Sequence, residues 1–196
     1  MGQLAPDPLN KQQGMTNVSA VYSLSCAGSN GSTLQLDFRR VGDRFVQSIR
    51  RLGSDGACLA AWDGVQKPEA ELWPASPPIQ ELSLESIDGR EVLLGVGRAG
   101  KCHWSVSIET VEIELAAAFR FDIACRCPES PQWLGSTYQP SSDAAAPASS
   151  AFKALALEDT AVSVDGPQFR IEPTVTPRSW PGTVRWRYAI LASDAG

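Results

Sequence analysis

The sequence lacks any long apolar segment. No run of about 18 apolar residues, the length that a membrane-spanning helix needs, occurs in the chain. The opening stretch MGQLAPDPLNKQQGMTNVSA contains proline, asparagine and glutamine where a secretory signal would carry its apolar residues. We therefore expect neither a membrane span nor an export signal, and we predict that the protein acts in the cytoplasm.

Positive charge is also scarce. The 17 lysine and arginine residues are outnumbered by 22 aspartate and glutamate residues, so the formal net charge is −5. Nucleic-acid-binding domains are more often basic, and the sequence therefore predicts no nucleic-acid partner. Hydrophobic residues make up 43% of the chain and charged residues 20%, values that are typical of a folded globular protein.

Residues with reactive side chains are few. The chain has one histidine and five cysteines, the latter at Cys26, Cys58, Cys102, Cys125 and Cys127. An odd number of cysteines without an export signal indicates reduced thiols rather than a framework of disulfides. We therefore predict that the cysteines are reduced.

Helical periodicity is nearly absent, and alternation with period two takes its place. The stretches TLQLDFRR, FRFDIACRC and TVRWRYAI alternate between apolar and polar residues, and Asp88-Gly89 is a favoured two-residue turn between two such stretches. Residues 108–119 also fit helical spacing, but their valine, isoleucine and threonine favour a strand. The sequence predicts an all-β fold, an antiparallel two-sheet β-sandwich of about ten strands with little helix.

Composition divides the chain into four parts. We expect a mobile N-terminal tail at residues 1–15 and a β-sandwich body at 16–138. Residues 139–151, QPSSDAAAPASSA, predict a flexible linker or a surface loop. Residues 152–196 are too few for a core of their own, so we expect them to add strands to the same body.

One glycine-rich stretch resembles two nucleotide-binding motifs. GVGRAGKC, residues 95–102, fits G-x-G-x-x-G and all but the last position of a phosphate-binding loop. Cys102 replaces the Ser or Thr hydroxyl that would bind magnesium. A hairpin precedes the stretch and an alternating segment follows it, whereas both motifs need a helix directly after the glycines. We therefore predict a turn between strands 90–96 and 102–109, and no cofactor.

The two strands that follow are expected to form a hairpin. A turn at Leu115-Ala116 pairs residues 102–109 with residues 120–127 and places Val106 opposite Cys125. The apolar face of this hairpin carries three cysteines as small buried side chains. His103 falls on the other face and cannot join the thiols, so we predict no metal site.

The polar face of that hairpin holds four candidate ligand-binding residues. They are His103, Glu109, Asp122 and Arg126. In the expected register Glu109 lies opposite Asp122. One interpretation is a solvated sheet face with weak charge pairs. The functional alternatives are a groove for a small anionic ligand, or a small hydrolase-like enzyme that uses His103 with Asp122 or Glu109 for acid–base catalysis.

Three tryptophans lie in segments flanked by proline or glycine. They are Trp73, Trp133 and Trp180. Loop tryptophans on a β-sandwich can form a stacking platform for sugars or a contact for another protein. They can equally close the open ends of the sandwich, because large aromatic side chains are mostly buried.

The stretch FDIACRCPESPQWLGSTY, Phe121 to Tyr138, resembles an uncharacterised family of β-rich bacterial proteins. The resemblance implies a cytoplasmic β-fold and no activity. The sequence thus favours a non-catalytic binding or scaffold domain with a small molecule or a protein as partner. The hydrolase-like enzyme and a carbohydrate-binding module that uses the loop tryptophans are the alternatives. The sequence contains no pattern from which an oligomeric state could be predicted.

Overall fold

Thirteen β-strands make up the part of the chain that a computed structural model describes, namely residues 22–28, 31–66, 72–142 and 151–193. The predicted tail at 1–15 and most of the predicted linker at 139–151 lie outside these residues. The strands are β1 (Tyr22–Ala27), β2 (Thr33–Val41), β3 (Arg44–Leu52), β4 (Cys58–Gly64), β5 (Glu81–Ile87), β6 (Arg90–Ala99), β7 (Cys102–Ile113), β8 (Ala116–Cys127), β9 (Ser136–Pro140), β10 (Phe152–Ala156), β11 (Thr160–Asp165), β12 (Gln168–Pro173) and β13 (Gly182–Ala192).

The strands form two antiparallel sheets that pack face to face. The seven-stranded sheet has the order β1-β2-β3-β4-β9-β12-β11, and the six-stranded sheet has the order β10-β13-β8-β7-β6-β5. The described residues contain no helix, and accordingly none of them forms a helix that could cross a membrane. The predicted all-β sandwich is confirmed.

Alternation explains which side chains reach the interior. In β8 the residues Phe119, Phe121, Ile123, Cys125 and Cys127 are each at most 1% exposed, and the residues between them point to the other face. In β13 the side chains of Trp186 and Tyr188 are fully buried in the same way. Burial of such aromatic side chains supplies most of the apolar area that stabilises a sandwich core.

The structure has more strands than the roughly ten that turn spacing predicts. Four of the thirteen strands lie after residue 151, where the chain crosses between the sheets. β10 and β13 join the six-stranded sheet, whereas β11 and β12 join the seven-stranded sheet. Strands of only five or six residues, such as β10 and β11, show too few alternations to be recognised from sequence.

The glycine-rich stretch joins two antiparallel strands, as predicted, but most of it belongs to the first strand, which was expected to end at residue 96. β6 runs to Ala99, Gly100 and Lys101 form the turn, and β7 begins at Cys102. Gly100 has a φ of +54°, in the left-handed region that glycine tolerates best. No helix follows the glycines, so the arrangement that holds a nucleotide phosphate is missing.

The register predicted for the β7–β8 hairpin is wrong by two residues. The turn lies at Glu114 and Leu115, one residue earlier than expected. Val106 therefore pairs with Ile123 rather than with Cys125. A shift of two residues keeps every side chain on its predicted face but changes every partner across the strands.

Candidate functional site

A pocket of about 320 Å³ lies on the outer face of the seven-stranded sheet. Its floor is the pair of strands β9 and β12, where Thr137 is the register partner of Arg170. Thr137 lies between two fully buried residues of β9, and Arg170 precedes the fully buried Ile171, so both belong to the outer face. The lining residues are Val65, Trp73, Ala75, Trp133, Thr137, Gln168 and Arg170.

Hydrogen bonds fix the loop that carries Trp73 onto β9. The Ser76 hydroxyl donates to the carbonyl oxygen of Thr137 at 3.0 Å and accepts from the Thr137 amide at 3.0 Å. The amide of Val65 donates to the same carbonyl at 2.8 Å. Because these bonds connect buried backbone to the loop, the Trp73 side of the pocket is pre-formed.

A glycine allows the second indole to lie close to the chain. A Cβ atom at Gly135 would lie 2.8 Å from Cζ2 of Trp133 and 2.7 Å from the carbonyl oxygen of Ile171. Both distances are too short for a real side chain, so glycine is needed for this close approach. Trp133 thereby lines the pocket together with Trp73.

The polar groups of the pocket are few and lie beside the two indoles. Arg170 forms an ion pair with Asp165 at 2.7 Å, which leaves part of its guanidinium fork for other acceptors. Among the described residues, Nε1 of Trp133 is shielded from solvent and has no hydrogen-bond partner. Gln168 adds an amide with donors and an acceptor.

The structure brings together two of the three loop tryptophans. Trp73 and Trp133 are both half-buried and both line the pocket. Trp180 is also partly buried, but it packs against the core and is not among the residues that line this pocket. The sequence reasoning missed Thr137, Gln168 and Arg170, because their approach depends on the pairing of β9 with β12.

The polar face of β7 and β8 separates the histidine from the carboxylates. His103 is exposed and lies between Arg98 of β6 and Arg126 of β8. Asp122 pairs with Ser107, four residues further along β7, which is roughly 13 Å at about 3.3 Å per residue. The expected pairing of Glu109 with Asp122 is wrong because of the two-residue shift in register, and Glu109 instead pairs with Arg120. The structure therefore places no carboxylate of the predicted set beside His103.

A second pocket, of about 330 Å³, covers the carboxylate end of this face. Arg187 of β13 donates from Nε to Asp122 at 2.7 Å and from Nη1 to Glu158 at 3.0 Å. The hydrogen bond with Asp122 is the main reason why the pKa of Arg187 lies above its usual value. Arg120 is likewise paired with Glu109. An anionic ligand would have to displace these carboxylates, so the pocket is poorly prepared for one.

A further depression of about 720 Å³ lies between the end of β1 and the β7–β8 turn. Its lining includes Arg90, Glu112 and the exposed side chain of Leu115. Cys26, Ala27 and Gly28 line its other side. Arg120 also lines it, but its guanidinium is already paired with Glu109.

The prediction that all five cysteines are reduced is wrong. Cys102 and Cys127 form a disulfide with a Cα–Cα distance of 4.4 Å. In the observed register these residues face each other, whereas the predicted register would have placed Trp104 opposite Cys127. The prediction of reduced thiols came from the odd number of cysteines and the lack of an export signal, and the misplaced turn hid the facing pair that would have corrected it.

A third thiol lies beside the disulfide. Sγ of Cys125 is 3.5 Å from Sγ of Cys127, and both residues are fully buried. Burial raises the pKa of the Cys125 thiol to about 12. His103 lies on the opposite face of β7, as predicted, so it does not join the three sulfur atoms.

Comparisons with protein-family models, with curated proteins and with solved structures found no match to this chain. The resemblance of residues 121–138 to a bacterial family therefore stays a prediction, and the functional argument depends on the geometry of the molecule.

Proposed function

We propose that the protein is a non-catalytic binding domain whose ligand is a small carbohydrate held between Trp73 and Trp133. One observation carries this proposal: two loops bring two indoles together over a floor of polar side chains. A sugar ring offers apolar C–H faces that stack on indoles and hydroxyl groups that hydrogen-bond at its edge. The pocket of about 320 Å³ is at the lower end of the range for small-molecule sites, roughly 300–1,000 Å³.

The polar groups fit hydroxyl groups better than they fit a charged ligand. Gln168 supplies an amide that both donates and accepts, and Arg170 already has Asp165 as its counter-ion. Neutral hydrogen-bonding groups beside flat aromatic surfaces are what a neutral, polyhydroxylated ligand requires.

The lining also supports binding without catalysis. Its seven residues include no histidine, carboxylate or cysteine, the side chains that most often serve as general acid, base or nucleophile. His103 belongs to the other sheet and lies between two arginines. The geometry thus favours the carbohydrate-binding alternative over the hydrolase-like one.

Titration with a panel of mono- and oligosaccharides, followed by calorimetry and tryptophan fluorescence, tests this proposal. We expect Trp73→Ala and Trp133→Ala each to weaken binding at least roughly tenfold, which corresponds to the loss of a stacking contact of about 1.4 kcal/mol. Trp180→Ala is the matched control, because Trp180 is a loop tryptophan outside this pocket, and it should bind like the unaltered protein.

Two outcomes would contradict the proposal. If no saccharide of the panel binds, the ligand class is wrong. If a saccharide binds equally to the Trp73→Ala, Trp133→Ala and unaltered proteins, the site is wrong.

We further propose a cytoplasmic location, because Cys26, Cys58 and Cys125 are free thiols. The observation against it is the Cys102–Cys127 disulfide, since disulfides persist mainly in oxidising compartments. Cells that express the full chain can be fractionated, with free cysteines trapped by alkylation at lysis. This experiment tests the location of the protein and the presence of the disulfide together. Recovery of the protein in the periplasmic or secreted fraction would overturn this location.

A further inference from the structure

The sulfur atoms of Cys102, Cys125 and Cys127 form one buried group, here called the thiol cluster. Their Sγ atoms all lie within 4.8 Å of one another, and each residue is at most 2% exposed. Two of these atoms form the disulfide and the third is a free thiol. Trp133 of the pocket follows Cys127 by six residues, but the strands that carry the cluster belong to the six-stranded sheet, whereas the pocket floor belongs to the seven-stranded sheet.

We propose that reduction of the disulfide converts the thiol cluster into a binding site for a thiophilic trivalent centre, of which arsenite is the simplest aqueous form. A disulfide needs only two cysteines, and here a third, Cys125, lies in contact with it. A centre that forms three bonds to sulfur uses all three residues. The proposal is independent of the proposed carbohydrate site.

Coordination number favours a three-coordinate centre. A structural zinc site has four ligands in a tetrahedron. The neighbour that could supply a fourth ligand, His103, points to the opposite face of β7, and within the described chain the cluster contains three ligand atoms and no more. Trivalent arsenic is complete with three sulfur ligands, because a lone pair occupies the remaining position.

Charge favours the same class. A divalent ion with three thiolates leaves one net negative charge, and a monovalent ion leaves two. An unpaired charge in an apolar core is strongly disfavoured. The cluster lies among fully buried apolar side chains that include Ile123 and Val184. Trivalent arsenic with three thiolates is neutral, so it matches this environment.

The reaction balances without a further oxidant. A water-soluble phosphine reduces the disulfide: its phosphorus is oxidised to the phosphine oxide with oxygen from water, and two thiols form. Arsenite, As(OH)₃, then exchanges its three hydroxyl groups. Three As–O bonds and three S–H bonds break, three As–S bonds form, and three water molecules leave.

The position of the cluster offers a route for entry. Cys102 is the first residue of β7, Cys127 is the last residue of β8, and Gly182 at the start of β13 pairs with Cys127. Three strands thus end at the cluster. Strand ends open locally at a lower free energy than strand centres do, so a small neutral solute can reach the thiols without global unfolding.

The test compares the reduced and oxidised full-length protein. The protein is treated with the phosphine, and the phosphine is then removed under oxygen-free conditions. The reduced protein is titrated with sodium arsenite and measured by native mass spectrometry. We expect the reduced protein to gain one arsenic atom with loss of three water molecules, and the oxidised protein to gain none. Equal binding by both forms would overturn the proposal, and this comparison needs no variant.

Variants locate the site. Cys125→Ala should weaken arsenite binding at least roughly tenfold, because two sulfur bonds remain instead of three. Cys58→Ala is the matched control and should bind normally, since Cys58 lies in β4 of the other sheet. Cys125→Val, which refills the space, repeats the test if the alanine variant does not fold. Normal binding by a folded Cys125 variant, or tighter binding of Zn²⁺ than of arsenite by the reduced protein, would overturn the assignment.

Discussion

Gly97 lies where the segment before β5 crosses β6. A Cβ atom at this position would be 1.6 Å from the carbonyl oxygen of Pro78 and 2.7 Å from its carbonyl carbon. The crossing is held by the amide of Gln80, which donates to the carbonyl of Val96 at 2.8 Å. It is also held by the Gln80 side chain, which accepts from the amide of Arg98 at 3.1 Å. Close packing of backbone against backbone thus explains this glycine.

Replacement of Gly97 should lower the free energy of unfolding more than replacement of Gly95 does. We expect Gly97→Ala to lower the free energy of unfolding by about 1–3 kcal/mol, because the Pro78 backbone must move. Gly95→Ala is the matched control in the same strand. Its Cβ would meet Cγ2 of Ile79 at 3.0 Å, a side-chain atom that can shift. Urea unfolding of both variants measures the difference, and equal losses would contradict the packing argument.

The loop tryptophans illustrate how much of the candidate site could be predicted from single residues of the sequence. Proline and glycine flanks mark Trp73 and Trp133 as loop residues, and that much of the candidate site was predictable. Their convergence was not, since it depends on the distance between two loops. The polar floor at Thr137 and Arg170 was not predictable either, because the two strands pair over a long stretch of chain that leaves no local pattern.

The β7–β8 hairpin owes its register to an unusual turn. Glu114 has a φ of 51° and Leu115 a φ of 67°, so two residues with side chains occupy the left-handed region. Asn-Gly and Asp-Gly are the sequences that favour such turns, and neither occurs here. The hairpin therefore carries local strain that the long pairing of β7 with β8 must offset.

Introduction of a favoured turn sequence should stabilise the protein. We expect Glu114→Asn combined with Leu115→Gly to raise the free energy of unfolding by about 1 kcal/mol or more, because the left-handed conformation is unfavourable for ordinary side chains. Leu115 is 81% exposed, so little packing is lost. Asp88→Asn in the β5–β6 turn is the control, since that turn already has glycine, and we expect a change below about 0.5 kcal/mol. A destabilised double variant would show that Glu114 or Leu115 makes a needed contact.

This turn also explains which element-scale predictions were correct. Alternation alone assigns faces, so the buried side of β8 and the outward position of His103 were predictable. To predict which residues pair across the strands, the position of the turn must be known. Glu-Leu is not a favoured turn sequence, so that position could not be recognised. The Cys102–Cys127 disulfide depends on that one detail, as does the pairing of Glu109 with Arg120. The order of strands in the sheets lies beyond any local pattern.

At the scale of the whole molecule, a chain of polar side chains crosses the core and joins the two sheets. Nε2 of Gln47, in β3, donates to the hydroxyl of Tyr138 in β9 at 2.8 Å. That hydroxyl lies 2.7 Å from the hydroxyl of Tyr188 in β13, which belongs to the six-stranded sheet. Both tyrosines are fully buried. Hydrogen bonds inside an apolar core are sensitive to any change in protonation.

Alkaline pH should therefore destabilise the whole sandwich. Burial is the main cause that raises the pKa of Tyr138 and of Tyr188 above the usual value of 10.0. Below pH 10 both tyrosines are neutral in the folded and the unfolded protein, and their contribution to stability is fully present. Above pH 10 the unfolded chain loses these protons while the folded protein keeps them, so stability falls as the pH rises.

The size of this effect follows from linkage. Each tyrosine that ionises only on unfolding lowers the free energy of unfolding by about 1.4 kcal/mol per pH unit, and the pair lowers it by roughly 2.7 kcal/mol per unit. Urea unfolding between about pH 8 and pH 11 measures the slope for the unaltered protein and for the Tyr138→Phe, Tyr188→Phe double variant. The buried Cys125 thiol also titrates on unfolding, but it is common to both proteins and cancels in the difference. The double variant should be less stable near neutral pH, because Gln47 loses its acceptor, yet less sensitive to alkali. Parallel profiles above pH 10 would show that the two hydroxyls do not keep their protons in the folded core.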